Sequence, residues 1–477
     1  MRHGLRRRGA STALVVLALL AGAGCDGGGD RTGGPAAGKA GPGGAAETPG
    51  EIVLASGRDV TGKGGIRQQL IAAWNAEQER KGSGYRARLV ELPGSADQQR
   101  SQLLGALQSG SAEYDVVNLD VTWVPEFAAA GLVQPLPDAL VDADVIKSVA
   151  ATARWKDKVY AVPFNSDVGL LFYRRDYLKS AGIEADPGLA KGTRWPVVQQ
   201  LVRALDAPGK KPSDAYRKGW TAQLDASYEG LTVNGVEAFA SAADDFALTD
   251  EEGRYAGSVD GLKAGLDELR DRTQAAYTLP EAVHSDEADT LTDFTAGRTA
   301  FLRHWPYAYR TLHQSLTEEQ LGVAPLPGRA VLGGQNLAVA RGSQRSTAAR
   351  QLVEFLTGRE SERCLLDAGF AATRLSAYED DKLTCTAAKP TGTATAAPTS
   401  ERTDRMPRDA HGRPHYARTT LLPALENAVQ RPRTPLYGAF TRTFAAELAK
   451  LQNDDPPSDA QLAKELDARL RRALPRG

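Results

Sequence analysis

The sequence predicts an α/β fold built on mostly parallel sheets, and three observations carry that expectation. From Glu51 onward, short apolar segments alternate with segments of helical periodicity, the pattern of βα units whose parallel sheet is covered on both faces. The stretch "VGLLFY" (Val168–Tyr173) runs without a polar break until Arg174, as a strand buried on both faces does. At 477 residues, 42% hydrophobic and 25% charged, the chain has an ordinary globular composition and room for two or three domains.

Each element has its own justification. "EIVLAS" is a short apolar strand; Ile66, Leu70 and Trp74 follow at helical spacing, with Ala73 on the same face. "ARLVEL" is a second strand. "QQRSQLLGALQSG" is a helix with Leu103, Leu104 and Leu107 inward and Gly110 at its C-terminal cap. "YDVVNLD" is a third strand, and "PEFAAAG" a short helix opened by Pro125 and ended by Gly131. "KVYAVPFNSDVGLLFYRRDYLKSAGI" reads strand, turn, strand, helix. Residues 190–300 are more helical and polar. "RTAFLRHWPYAYRTL" restores a strand and a turn; "GVAPLPG" and "GGQNLAVA" are strands joined by Pro and Gly turns. Ala349, Leu352, Val353 and Leu356 line one amphipathic helix, and Phe440, Phe444, Leu448 and Leu451 another. "SDAQ" at 458–461 is a capping box for a last helix carrying Leu462, Leu466 and Leu470. Residues 384–420, rich in Thr, Ala, Pro, Arg and Asp, read as a mobile surface insertion.

The N-terminus reads as an export signal over residues 1–25. Arg2, Arg6, Arg7 and Arg8 make a positive n-region, and Ala13–Ala21 an apolar core too short for an ordinary spanning helix. "GAGC" ending at Cys25 resembles a bacterial lipobox, with Gly22 where an aliphatic is usual. That resemblance implies a diacylated Cys25 anchored at the outer face of a membrane; cleavage elsewhere is the alternative. Residues 26–50 are dominated by Gly, Ala and Pro and read as a flexible tether of about 25–30 Å r.m.s. span. The two other cysteines, Cys364 and Cys385, would form a disulfide in an oxidising compartment, closing a loop for about 3 kcal/mol; two free buried thiols are the alternative.

Several function classes lose weight. Net charge is −1, which draws no nucleic acid. His3, His284, His304, His313, His411 and His415 fall in no metal-binding spacing, and "HSDEAD" at 284–289 is expected to be a solvated helix start rather than a metal site. There is no Walker A loop, no GxGxxG after a strand and no GxSxG, so no cofactor is expected and weight moves from catalysis to binding.

Polar and aromatic residues gather where strands end. In open α/β sheets, ligands bind outside the carboxyl ends of parallel strands. "YDVVNLDVTW" ends its strand in Asn118 and Asp120, then Trp123; Asp120 either faces that crevice or caps the following helix. Asp167 stands where the chain leaves one sheet for another apolar strand. It must be hydrated or paired there, either as part of an Asn-Ser-Asp turn or facing the same crevice. "RHWPYAY" offers Trp305, Tyr307 and Tyr309 as core or as an apolar platform. "SYEGL" adds Tyr228 and Glu229, and "QRPRTPLYGAF" adds Arg431 and Arg433, solvated or in the site. Carboxylates, an amide, arginines and aromatics are what a neutral sugar needs. Charged groups bridge its hydroxyls, and flat rings cover its C–H faces.

"YDVVNLDVTWVPEFAAAGLVQPL", "KVYAVPFNSDVGLLFYRRDYLKSAGI", "FTAGRTAFLRHWPYAY", "GVAPLPG" with "GGQNLAVA", "AARQLVEFLT" and "RPRTPLYGAF" resemble, in that order, segments of bacterial extracellular solute-binding proteins of carbohydrate ABC importers. "LDVTW", "SDVGLLFYR", "YEGL" and "WPYAY" are most similar to the trehalose/maltose-binding branch. The resemblance runs from about Glu51 to Leu451. It implies two lobes of the periplasmic-binding-protein type, each a mostly parallel sheet flanked by helices. Residues 51–163 with 303–332 would form the first lobe and 164–302 with 333–477 the second. "VPFN", the "TAFL" strand and Gly333–Gly334 would cross between them. It implies Asp120, Asp167, Trp305, Tyr307 and Arg431 at the sugar, with Arg100, Tyr228, Glu229, Asn118 and Gly334 beside them. It also implies a receptor that is not an enzyme, an expected monomer, closing on a trehalose- or maltose-like α-glucoside and delivering it to membrane permease subunits. Gln335 stands where the family often has an aromatic, and Asp59 is a candidate for an early acidic ligand. Two other readings remain: a secreted glycosidase using Asp120 and Asp167, and a surface lipoprotein that binds a protein partner.

Overall fold

The computed structural model describes residues 47–58, 65–184, 186–189, 193–243, 246–385 and 404–475. The export signal, Cys25, Asp59 and residues 386–403 of the expected insertion lie outside them.

Eleven strands are described. β1 (Glu51–Gly57), β2 (Arg86–Leu92) and β3 (Val116–Asp120) come first, then a short hairpin of β4 (Arg154–Trp155) and β5 (Lys158–Val159). β6 (Val162–Val168), β7 (Leu170–Arg174), β8 (Lys218–Thr221), β9 (Thr299–His304), β10 (Leu321–Pro325) and β11 (Leu332–Val339) follow. They make two main sheets, ordered β2-β1-β3-β11-β6 and β10-β7-β9-β8. In the first, β1 pairs parallel with β2 and β3, while β11 runs antiparallel to both β3 and β6. In the second, only β8 and β9 are parallel; β7 is antiparallel to β9 and β10. The second sheet therefore departs from the parallel expectation: β7 enters directly from β6 and pairs antiparallel on both sides, and only β8 and β9, joined through helices, are parallel neighbours.

Alternation within a strand explains the layers. Ile52 and Leu54 of β1, with Leu337 and Val339 of β11, face a core shared with the helices Ile66–Lys81 and Ser346–Leu356. Val53 and Ala55 face the opposite way, with Leu103 and Leu107 of the helix Ala96–Gln108. In the second sheet, Leu171, Tyr173 and Phe301 pack with the helices Trp195–Leu205, Gly230–Ala242 and Val259–Arg272, while Leu170, Phe172 and Leu302 face the other side.

The chain changes sheets at Gly169, so "VGLLFY" is not one strand but the end of β6 and most of β7. A Cβ on Gly169 would stand 2.2 Å from the Glu237 carboxylate, so the crossing needs glycine there. Sheet membership also redraws the expected lobes. Strands β9 and β10 belong with β7, so residues 303–332 do not join 51–163, and β11 belongs with β3 and β6 rather than with the second lobe. "TAFL" lies inside the second sheet, and Gly333–Gly334 lie within β11, past the crossing at 326–331. The reason is pairing: a strand goes where its backbone N–H and C=O groups find partners.

Two further expectations change. The tether does not reach residue 50, because the Glu47 carboxylate accepts from the Thr347 and Ala348 amides at 2.6 and 3.2 Å and caps the helix Ser346–Leu356 from outside. The described end of the 384–420 segment is not a mobile surface. Met406, Arg413 and Tyr416 are buried, and Arg413 bonds Asp409 and Asp381. The last helix opens on Ser458, whose hydroxyl accepts from the Gln461 amide; the Gln461 side chain turns forward to Glu465, so only half of the capping box forms. Cys364 and Cys385 are joined by a disulfide.

Candidate functional site

Arg431 is the hub. It is buried in the loop after the helix Leu422–Glu426, and its Nη2 donates to both Asp120 carboxylate oxygens at 2.9 and 3.1 Å. Its Nη1 donates to Glu229, which also accepts from the Tyr437 hydroxyl. Asp120 ends β3 in the first sheet. Glu229 precedes the helix Gly230–Ala242, which is tied to the second sheet where Glu237 pairs with Arg303. One guanidinium thus joins carboxylates from both lobes. Burial pushes Glu229 up, Asp120 adds to that, and Arg431 works against it. The Asp120 Oδ1 also accepts from the Thr122 amide and hydroxyl at 2.8 and 2.7 Å. Asp120 does not cap the following helix, whose N-cap is Trp123 with no side-chain bond.

Asp167 and Trp305 meet across Gly333. A Cβ there would lie 3.1 Å from the Asp167 Cβ and 3.1 Å from the Trp305 ring, so the absence of a side chain on β11 lets the carboxylate and the indole approach. The Oδ1 of Asp167 is buried and has no hydrogen-bond partner among the described residues. Burial pushes its carboxyl up to about 7; Arg67 opposes this, Asp120 adds to it, and Arg303 and Arg431 oppose it. That set of influences places Asp167 in the same charged region as the Arg431 network. The Trp305 indole carries the Arg303 guanidinium over one face at 3.8 Å from the ring centroid, and its Nε1 points at Glu287 at 3.4 Å.

Asn118 enters through a third set of bonds. Its Nδ2 donates to Ser56 at 2.9 Å and to the Gln335 Oε1 at 2.6 Å. Arg67 donates to that same Gln335 oxygen at 2.8 Å and reaches Ser56, the Gly57 carbonyl and Asn165. Gln335 sits opposite Asp120 in the β11–β3 register. It stands where an aromatic was expected, and it ties first-lobe polar groups together instead.

The remaining expected residues divide. Tyr307 is near Asp167 and Glu287, whose charges add to burial in raising its hydroxyl, and its ring meets His304 edge-on at 5.2 Å. Tyr228 is raised mainly by burial and then by Glu287; its hydroxyl faces that carboxylate without a well-formed hydrogen bond. Tyr309 is core, 4.3 Å from the Tyr416 ring. Arg100 is committed to Glu126, with Nε at 2.7 Å, and makes no direct contact with the Arg431 network among the described bonds. Gly334 is structural: its φ is +102°, its carbonyl accepts from the Val121 amide, and a Cβ would strike the Asn165 carbonyl at 2.4 Å. Arg433 turns away to the Arg154 carbonyl.

Sequence reasoning missed Arg67, Gln335 as a bonding group, Glu287, and the Glu237–Arg303 pair, each member 1% exposed. Arg303 was legible in principle, since an arginine inside the apolar strand "TAFLRH" demands a buried partner. Arg67 was legible on the same ground: it stands three and four residues before Leu70 and Ile71, on the buried face of the helix Ile66–Lys81. A cavity of about 890 Å³ touches the network through Arg431, while one of about 550 Å³ contains none of the expected residues. Convergence of charge around Arg431 marks the candidate site, and the larger of these two cavities borders it.

The arrangement can present ionised oxygens, amides and an indole to a polyhydroxylated guest; no cluster of residues able to hold a metal occurs among the described residues. A probable ABC transporter-binding protein of Deinococcus radiodurans is similar to this chain, 28% identical over 314 residues, or 63% of this chain and 72% of that one. A probable amino-acid ABC transporter periplasmic-binding protein, y4oP, of Sinorhizobium fredii is 26% identical over 300 residues, or 61% and 66%. The solved structure of maltose-bound MalE3 of T. maritima shares the two-lobed fold, with TM-score 0.66 and 24% identity over 88% of this chain and 99% of that one. The family model for bacterial extracellular solute-binding proteins matches residues 60–363, more than half of the sequence. The chain belongs to the bacterial extracellular solute-binding proteins.

Proposed function

We propose that the chain is the capture component of an ABC importer. Its ligand is a neutral di- or oligosaccharide of the trehalose or maltose type, taken between the lobes by hinge closure and passed to membrane permease subunits. Diacylated Cys25 would hold the receptor at the outer face of the membrane while the Gly/Ala/Pro segment lets it reach the permease.

One observation carries the sugar reading. Carboxylates from both lobes converge on Arg431, while beside them Asp167 keeps a buried oxygen without a donor next to the Trp305 ring. Leaving such an oxygen unsatisfied costs about 1–3 kcal/mol, and a sugar hydroxyl would supply the donor. An apolar ligand has no donor for that oxygen, whereas the ammonium of an amino acid would supply one, so amino acids are the competing ligand class in the test. The indole face away from Arg303 would take a pyranose C–H face.

Titration calorimetry with maltose, trehalose, sucrose and a set of amino acids tests this. Saturable binding of a disaccharide by the wild type is expected, with Asp167→Asn weakening it about 30- to 1000-fold while the protein stays folded. Binding of an amino acid alone, or disaccharide affinity unmoved by the substitution, would refute it. A secreted glycosidase is the second reading, and one feature favours it: an Asp167 carboxyl pushed up to about 7 holds its proton as a general acid must. Asp120, its would-be partner, is already bound by Arg431 and Thr122. Prolonged incubation with maltose should release no glucose.

A further inference from the structure

We infer that the hinge carries a second ligand site, separate from the sugar-binding region, for a small oxyanion of the phosphate class. The cavity of about 550 Å³ lies where the crossing segment between β10 and β11 passes the second lobe's helices and the short helix Leu422–Glu426. Its described lining includes Arg194, Arg272 and Arg329 against a single acidic residue, Glu268. Glu268 is already taken by the Arg272 Nε at 2.8 Å. Arg194 and Arg329 make no side-chain hydrogen bond or ion pair among the described residues, and the Arg329 Nε is buried without a partner. A buried guanidinium N–H without an acceptor is costly, and two cations held near a third repel one another. An oxyanion between them satisfies both conditions.

The backbone adds to the attraction. The eleven-residue helix Trp195–Leu205 begins at this cavity, with Arg194, Trp195 and Pro196 in the lining, so its positive end faces the same space. The crossing segment is held rigidly beside it. The Gly328 amide donates to the Thr193 carbonyl at 3.1 Å, and the Arg329 amide donates to the Ser241 hydroxyl at 2.7 Å. At Gly328, φ is +81° and a Cβ would stand 2.9 Å from the Arg272 Nη2, so glycine lets that guanidinium lie against the backbone. The arginines therefore line the cavity from two sides, exposed Arg194 from the helix start and half-buried Arg329 from the crossing segment. The volume exceeds what inorganic phosphate fills, so a phosphate monoester of a small organic molecule fits the same chemistry.

Calorimetry on the full-length purified protein, at constant ionic strength in chloride, tests the site with two probes, inorganic phosphate and glycerol phosphate. Saturable one-to-one binding of either probe is expected, and the tighter of the two identifies the source. Arg194→Gln combined with Arg329→Gln should weaken binding at least tenfold, while the charge-matched surface pair Arg80→Gln and Arg472→Gln should not. No saturable binding of either probe to the wild type overturns the proposal, as does equal binding by the double variant. Should the double variant fail to fold, Arg194→Gln alone keeps the same two outcomes. Because disaccharide binding is measured on the same preparation, loss of the sugar reading and loss of this site are told apart.

Discussion

Asp167 shows how a single side chain reports its surroundings. Its carboxyl is pushed from an ordinary 3.8 up to about 7, chiefly by burial. Between those values the folded state holds the proton that the unfolded chain has released, so this residue makes stability fall as pH climbs from about 4 to 7 and leaves it flat above. Asp167→Asn removes that dependence. The variant should be more stable than the wild type at pH 8, by about 4 kcal/mol, with the difference vanishing below pH 4. Chemical denaturation across that range measures it; parallel curves for the two proteins would show that Asp167 is solvated after all. The sugar should act in the opposite direction. A hydroxyl donating to the ionised form lowers the Asp167 pKa, so disaccharide affinity should rise severalfold between pH 6 and 8 with a proton released on binding.

At the scale of elements, β11 and the helix Ser346–Leu356 make distinct demands. β11 lies between β3 and β6, and its two glycines do different things: Gly333 leaves room for Asp167 and Trp305, whereas Gly334 adopts a φ of +102° under the Asn165 carbonyl. Gly334→Ala would combine an unfavourable backbone conformation with a 2.4 Å clash and should cost about 2–4 kcal/mol in urea unfolding. A neutral result would mean that the strand pair relaxes freely. The helix Ser346–Leu356 has no cap of its own and borrows the Glu47 carboxylate. Glu47→Ala should cost about 1 kcal/mol near neutral pH. Because interactions in the folded protein hold Glu47 below its usual range despite some burial, that contribution should be present above about pH 4.5 and fade as pH falls through the lowered value.

For the whole molecule, Arg431 matters most because it ties the first lobe's Asp120 to the second lobe's Glu229. Lysine keeps the charge but not the planar fork that reaches both carboxylates. Arg431→Lys should therefore lower stability by about 2–3 kcal/mol, less than the 3–5 kcal/mol typical of leaving a buried charge unpaired, and weaken disaccharide binding at the same time. Unchanged stability would detach the ion network from the packing of the two lobes. On the proposed sugar reading, the ligand's hydroxyls would meet groups already bonded to one another around Arg431, whereas at Asp167 they would supply a donor that the carboxylate lacks.

By itself, the sequence determined the α/β class, the apolar faces of the helices, and several ligand candidates that the structure gathers: Asp120, Asp167, Glu229, Trp305, Tyr307 and Arg431. These were legible because periodicity records burial, and because a carboxylate at the end of an apolar strand needs a local reason to be there. Only the tertiary structure decided which sheet each strand joins, that Gly334 serves backbone geometry, that Arg100 is spent on Glu126, and that Arg67 and Gln335 belong to the polar network. Those outcomes depend on contacts between residues far apart in the chain, such as Arg67 with Gln335 and Asp120 with Arg431. A local pattern carries the polarity of a segment but not the identity of the distant group that will satisfy it.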